Sequence, residues 1–203
     1  MIQLGKLIVQ IAEFIYKFTA LNILWLFFFL LGLGVFGFMP STVALFRVVR
    51  EWIKGEKDIY LFRSYLKFYK QEFFRSNING AIFLLLFYII YVNFSFVSYF
   101  YDESIHLFIY VVIFGFSVIV LMTFVNLFSV MAHFEYKTLQ YLKVAAGLVF
   151  ASPLNTVMQL VWLVAYILVA INLPKLFLLI GISVFAYVLM SINYSVFKKY
   201  KAV

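Results

Sequence analysis

The chain has 203 residues, of which 67% are apolar and 22% aromatic, while Asp, Glu, Lys and Arg together supply only 12%. A soluble domain of this length carries about twice that share of charge, so lipid must be the solvent for most of this surface. The net charge of +8 does not mark a nucleic-acid footprint, because thirteen of the sixteen Lys and Arg fall in three blocks between or after apolar runs, and the absence of cysteine excludes disulfides and thiolate metal sites.

At the N-terminal end, Gln3, Lys6, Gln10, Glu13 and Lys17 recur at spacings of three and four among Leu4, Leu7, Ile8, Ile11, Phe14, Ile15 and Phe18. One polar stripe on an apolar helix predicts an amphipathic helix at the membrane interface or against a partner, or an extended start of the first span. The apolar run that follows is too long for a cleaved signal core and is expected to be retained as a span over 21–39. Within it Gly32, Gly34 and Gly37 allow close helix approach and are candidate partner contacts.

Pro40 is expected to break the chain, with Ser41 or Thr42 capping a new helix that runs to about Trp52. Gly55 to Asp58 reads as a turn. From Ile59 to Arg75 the basic residues Arg63, Lys67, Lys70 and Arg75 interleave with Tyr60, Tyr65, Phe68, Tyr69 and Phe73, which predicts a basic aromatic helix, either lying on the headgroup layer or anchored by its aromatics to its own bundle with its charges facing water or anionic lipid. Further spans are predicted over 80–100, 107–131, 155–173 and 176–197, each near the ~20 residues that cross a bilayer core. The expected fold is all-α: a single polytopic membrane helix bundle over 1–203 with five transmembrane helices, an N-terminal amphipathic helix and a cytoplasmic helical connection over 40–79.

Between Arg47 and Arg75 lie eight basic and four acidic residues, whereas the next connection offers only Asp102, Glu103 and His106. The positive-inside rule makes the first cytoplasmic and the second external. Alternation then puts the Lys198 to Lys201 tail inside and the N-terminus outside. A faint echo links Leu66-Lys67, Phe74, Asn77 and Asn79 before the second span to Leu142-Lys143, Phe150, Pro153 and Asn155 before the fourth, a pattern that apolar composition alone can also produce.

Chemistry has few places to reside. The two histidines, His106 and His133, fall on opposite sides of the predicted topology and cannot share a metal. His133 and Glu135 face different directions on a helix and lack further ligands. No Gly-rich phosphate loop with a following Lys is present, and no serine has a base in a suggestive setting. No charge lies deep in a predicted span, and Asn22, Asn93, Asn126, Gln159 and Asn193 are expected to bond across helix interfaces rather than line a path. These readings predict no enzyme activity, no cofactor and no metal.

The stretch Gly37-Phe38-Met39-Pro40-Ser41-Thr42-Val43-Ala44-Leu45-Phe46-Arg47-Val48-Val49-Arg50 resembles the signature of the YesL-like family of bacterial membrane proteins. In that family a first span ends in a Gly-Pro-Ser-Thr-type motif followed by an Ala-Leu helix and a basic connection. The runs Tyr65 to Phe74 and Leu142-Lys143-Ala145 before Pro153 resemble it too, although Met39 stands where the family carries Gly. The resemblance implies an accessory subunit, structural or regulatory, in the bacterial cell membrane, working with the permease and ATPase subunits of an oligosaccharide ABC importer. The alternative is a small self-contained transporter or channel acting as a homo-oligomer.

Overall fold

In lipid every backbone polar group has to be satisfied within the protein, and this chain does so with helices alone among its described residues. The computed structural model describes residues 2–56 and 59–200, with side chains from residue 9 onward except Gln10. The elements are α1 (Ile2–Leu31), α2 (Val35–Lys54), α3 (Leu61–Phe100), α4 (Glu103–His133), α5 (Thr138–Ala151), α6 (Pro153–Asn172), α7 (Pro174–Leu176), a π-helical stretch (Phe177–Gly181) and α8 (Ile182–Lys199). Among the described residues five helices are long and apolar enough to cross a membrane: Ile11–Leu31, Leu61–Phe100, Glu103–His133, Pro153–Asn172 and Pro174–Lys199. The chain is a polytopic membrane helix bundle.

The first break falls earlier than the sequence suggests. It lies at Gly32-Leu33-Gly34, where Leu33 and Gly34 take positive φ of 57° and 75°, and Pro40 sits inside α2. Glycine adopts that region without a Cβ clash, so the turn forms where the glycines are. Gly32 and Gly37 then face each other so closely that a Cβ on either would collide with backbone. The hairpin runs antiparallel: Trp25 donates to Thr42 Oγ1 at 3.1 Å, and the Phe18 ring lies 5.7 Å from that of Trp52.

The first part of the segment read as a cytoplasmic helical connection, residues 40–49, forms the hub of the bundle. Gly37 and every residue from Met39 to Val49 are buried, and α2 packs against α1, α3, α4 and α8. Around it, α3 runs unbroken for 40 residues, about 60 Å at 1.5 Å per residue and twice a bilayer core. Its basic first half feeds directly into its apolar second half. The corresponding junction between α5 and α6 is broken at Ser152-Pro153, where Pro153 takes the first helical position that its missing N–H suits.

The echo seen in the sequence has a structural counterpart. Tyr65 and Tyr141 are both fully buried, and each donates its hydroxyl to a preceding carbonyl, Ser41 O at 2.7 Å and Phe134 O at 3.2 Å. Phe74 and Phe150 are both exposed, as are Lys67 and Lys143. The buried triplets Leu45, Phe46, Val48 and Leu127, Phe128, Val130 continue the match, and the Phe46 and Phe128 rings stack on each other at 5.7 Å.

Interhelical amides close the interior. Gln159 Nε2 donates to Asn193 Oδ1 at 2.7 Å and Asn193 Nδ2 to Asn126 Oδ1 at 2.9 Å, joining α6, α8 and α4 as such groups do in lipid. Asn22 accepts from Ser183 N at 3.1 Å and donates to Leu178 O at 2.6 Å. Its amide thus stands in for backbone partners around the π-helical stretch, which shifts the normal helix ladder. Asn93 behaves otherwise: it is exposed and bonds to its own helix at Ile89 O.

Candidate functional site: the Pro40 turn and a buried ion pair

Proline in a helix interior removes one N–H and leaves the carbonyl four residues earlier without its normal donor. For Pro40 that carbonyl is Phe36 O, and it receives Asn77 Nδ2 from α3 at 3.0 Å. The next two hydroxyls do not cap a helix, as the sequence suggests, because the helix has already started. Ser41 Oγ donates back to Gly37 O at 2.5 Å and Thr42 Oγ1 to Phe38 O at 2.7 Å, the back-bonding that bends a helix. Met39 fills the space left open by Gly80, where a Cβ would meet its side chain. Pro40, Ser41 and Thr42 therefore form one turn of α2 to which α1 attaches through Trp25 and α3 through Tyr65, Asn77 and Gly80.

One and a half turns later, Arg47 Nη2 pairs with Glu72 Oε1 at 2.6 Å, with side chains only 8% and 2% exposed. Arg47 Nη1 also donates to Gln71 Oε1 at 3.2 Å, and its guanidinium lies 5.6 Å from the Phe68 ring centroid. Arg75 approaches the same carboxylate at 3.8 Å and donates to Tyr141 Oη at 3.3 Å, which ties α5 into the cluster. Arg50 donates to Ala132 O at 2.6 Å and pairs with Glu51; a cation there satisfies the last carbonyls of α4 and its dipole. The sequence reading missed this buried pair. The legible signal was Glu72, the one acid in the basic run from Ile59 to Arg75, placed on the same helix face as Tyr65, Tyr69, Ser76 and Asn79.

The expected sites distribute as follows. Of the small-residue patch, Gly32 and Gly37 are spent on each other within the hairpin and Gly34 supplies the turn. Of the basic helix, Arg63, Lys67 and Lys70 are exposed, whereas Arg75 turns toward Glu72 and Tyr141. In the N-terminal stripe Lys17 pairs with Glu13 at 2.6 Å, while the side chains of Gln3, Lys6 and Gln10 lie outside the described residues, as do Lys57, Asp58 and Lys201. His106 sits at hydrogen-bond distance, 2.8 Å, from Tyr101 O, and His133 stacks on Phe197 with centroids 4.7 Å apart. Among the described residues no three His, Asp or Glu side chains gather where a metal could be held.

Residues 18–94, which contain the hairpin, the Pro40 turn and the Arg47–Glu72 pair, match the family model described as protein of unknown function, DUF624. The chain is 37% identical over 199 residues to the uncharacterized protein YteU of Bacillus subtilis (strain 168), covering 97% of this chain and 87% of that one. It is 27% identical over 182 residues to the uncharacterized protein YesL of the same organism, covering 90% and 85%. Over 86 residues it is 42% identical to the uncharacterized protein YesV, also of that organism, covering 42% and 41%. No solved structure matches. On near full-length similarity to YteU and the match of residues 18–94 to the family model, the chain belongs to the YesL-like DUF624 family.

Proposed function

We propose that this protein is an accessory transmembrane subunit, structural or regulatory, of a bacterial oligosaccharide ABC importer, with no ATPase or substrate chemistry of its own. The observation that carries the reading is how the interior polar groups are used. Arg47 with Glu72, Arg50 with the end of α4, Asn126 with Asn193 and Gln159, and Asn22 with Ser183 all bond helix to helix, so they act as struts. Partner surface remains abundant: the apolar window of α6 is only 6% buried, and a bare membrane helix can accept another by packing alone. In this reading the partner face lies on α6, because the glycines near α1 are occupied within the chain.

Purification of the tagged chain in mild detergent tests the proposal. Recovery of permease and ATPase subunits is expected. A clean homo-oligomer that moves solute in liposomes would replace it with the self-contained transporter.

The orientation follows the charges, with the connection between α2 and α3 inside the cell and the Asp102 to His106 turn outside. The α1–α2 hairpin sets Phe18 beside Trp52, so we place the N-terminal end of α1 on the inner side as well, opposite to the sequence expectation. Ser104→Cys should then react with an impermeant thiol reagent on intact cells, while Ser64→Cys and Ala12→Cys stay unlabelled. Labelling of Ala12→Cys would restore the external N-terminus.

A further inference from the structure

An apolar groove of about 300 Å³ opens between the start of α2 and the middle of α3, lined by Val35, Phe36, Asn77, Ala81, Leu84 and Phe87 among others. Its walls carry almost no charge. On α3, Lys70, Asn77, Ala81 and Leu84 share one face, because separations of seven, eleven and fourteen residues return close to the same angle at 3.6 residues per turn. Lys67, Phe74 and Ala81 follow the same rule. Moving from the groove toward the start of α3, that face therefore passes from apolar wall through Asn77 and the exposed Phe74 to the exposed Lys70 and Lys67.

Neither lysine makes an ion pair among the described residues, whereas nearby Arg47 and Arg75 both face Glu72. Lys70 precedes Phe74 by four residues, about 6 Å of helix rise, which matches the ~5–7 Å thickness of the polar layer on each side of the hydrocarbon. We propose that the groove holds one acyl chain of an anionic phospholipid whose phosphate is taken by Lys67 and Lys70. Phe74 lies along the chain at the boundary, and Asn77, whose amide nitrogen is already committed to Phe36 O and Phe73 O, forms the polar lip of the groove.

The echoing segment around Lys143 offers a control. Lys143 and Phe150 occupy the positions of Lys67 and Phe74, but position 147, which corresponds to Gln71, is glycine with open space around it, and α5 ends at Ala151. The helix face that carries Lys143 therefore stops one residue after Phe150.

The test is native mass spectrometry of the delipidated full chain in detergent, titrated with phosphatidylglycerol or with phosphatidylcholine of equal chain length. One phosphatidylglycerol should bind more tightly than any phosphatidylcholine. Lys67→Gln with Lys70→Gln should weaken it by about 5-fold per lysine removed, the effect of a basic residue at a charged bilayer surface, while Lys143→Gln changes little. Ala81→Phe, which fills the groove from an exposed position, should remove the tight phosphatidylglycerol site. Equal affinity for the two lipids, or an unchanged double-lysine variant, overturns the headgroup assignment. Unchanged binding to a normally helical Ala81→Phe protein overturns the groove. Neither result depends on recovery of importer subunits.

Discussion

Replacing Asn77 by Ala withdraws the donor from Phe36 O, the carbonyl that Pro40 leaves without a backbone partner. A carbonyl stripped of its partner away from water costs about 1–3 kcal/mol. Asn77 is only half-buried, so the loss should fall at the lower end, about 1–1.5 kcal/mol, or a few degrees of Tm for a chain of this size. The informative perturbation is the pair. In a Pro40→Ala background residue 40 regains an N–H that can reach Phe36 O, and Asn77→Ala should then cost less than about 0.5 kcal/mol. Four proteins purified in one detergent and unfolded while followed by far-ultraviolet circular dichroism give the coupling energy directly. A coupling near 1 kcal/mol is expected. An equal loss from Asn77→Ala in both backgrounds would refute the claim that α3 repairs the proline in α2.

Removing one member of the buried ion pair strands the other: Arg47→Met should cost about 3–5 kcal/mol, whereas Arg47→Met with Glu72→Leu should recover most of it, as read by yield of monodisperse protein and Tm. Recovery below half would mean the pair is held by more than its mutual charge. Asn193→Leu breaks two interhelical bonds worth about 0.6 kcal/mol each in lipid and up to about 1.7; its Tm should fall further than that of Asn93→Leu, which touches only its own helix, and equal shifts would count against the ladder. Asn22→Leu frees both Ser183 N–H and Leu178 C=O and should loosen the contact between α1 and the π-helical stretch. Faster amide exchange at residues 178–183 than in the parent protein is the expected signature, and unchanged exchange would remove Asn22 from that role.

Composition and periodicity determined a great deal about this chain. An uncharged run of about 20 residues has few alternatives in a membrane, so each predicted span overlaps a helix long and apolar enough to cross, the last three within a few residues, whereas the first lies at Ile11–Leu31 instead of 21–39 and the second is the apolar end of Leu61–Phe100. The amide positions Asn126, Gln159 and Asn193 were readable for the same reason: a polar group in lipid must find a partner. The tertiary structure alone decided what Pro40 does. By itself proline predicts a break, yet Asn77 from α3 supplies the missing bond and the glycines six to eight residues earlier make the turn. It also decided that the segment around Arg47 is core. Two basic residues among apolar ones read as part of a cytoplasmic helical connection, and nothing local says that they are buried until Glu72 and the end of α4 come from distant parts of the chain to meet them. Local sequence fixes which backbone groups and charges need partners; only the packed bundle brings those partners within the short range at which hydrogen bonds and ion pairs act.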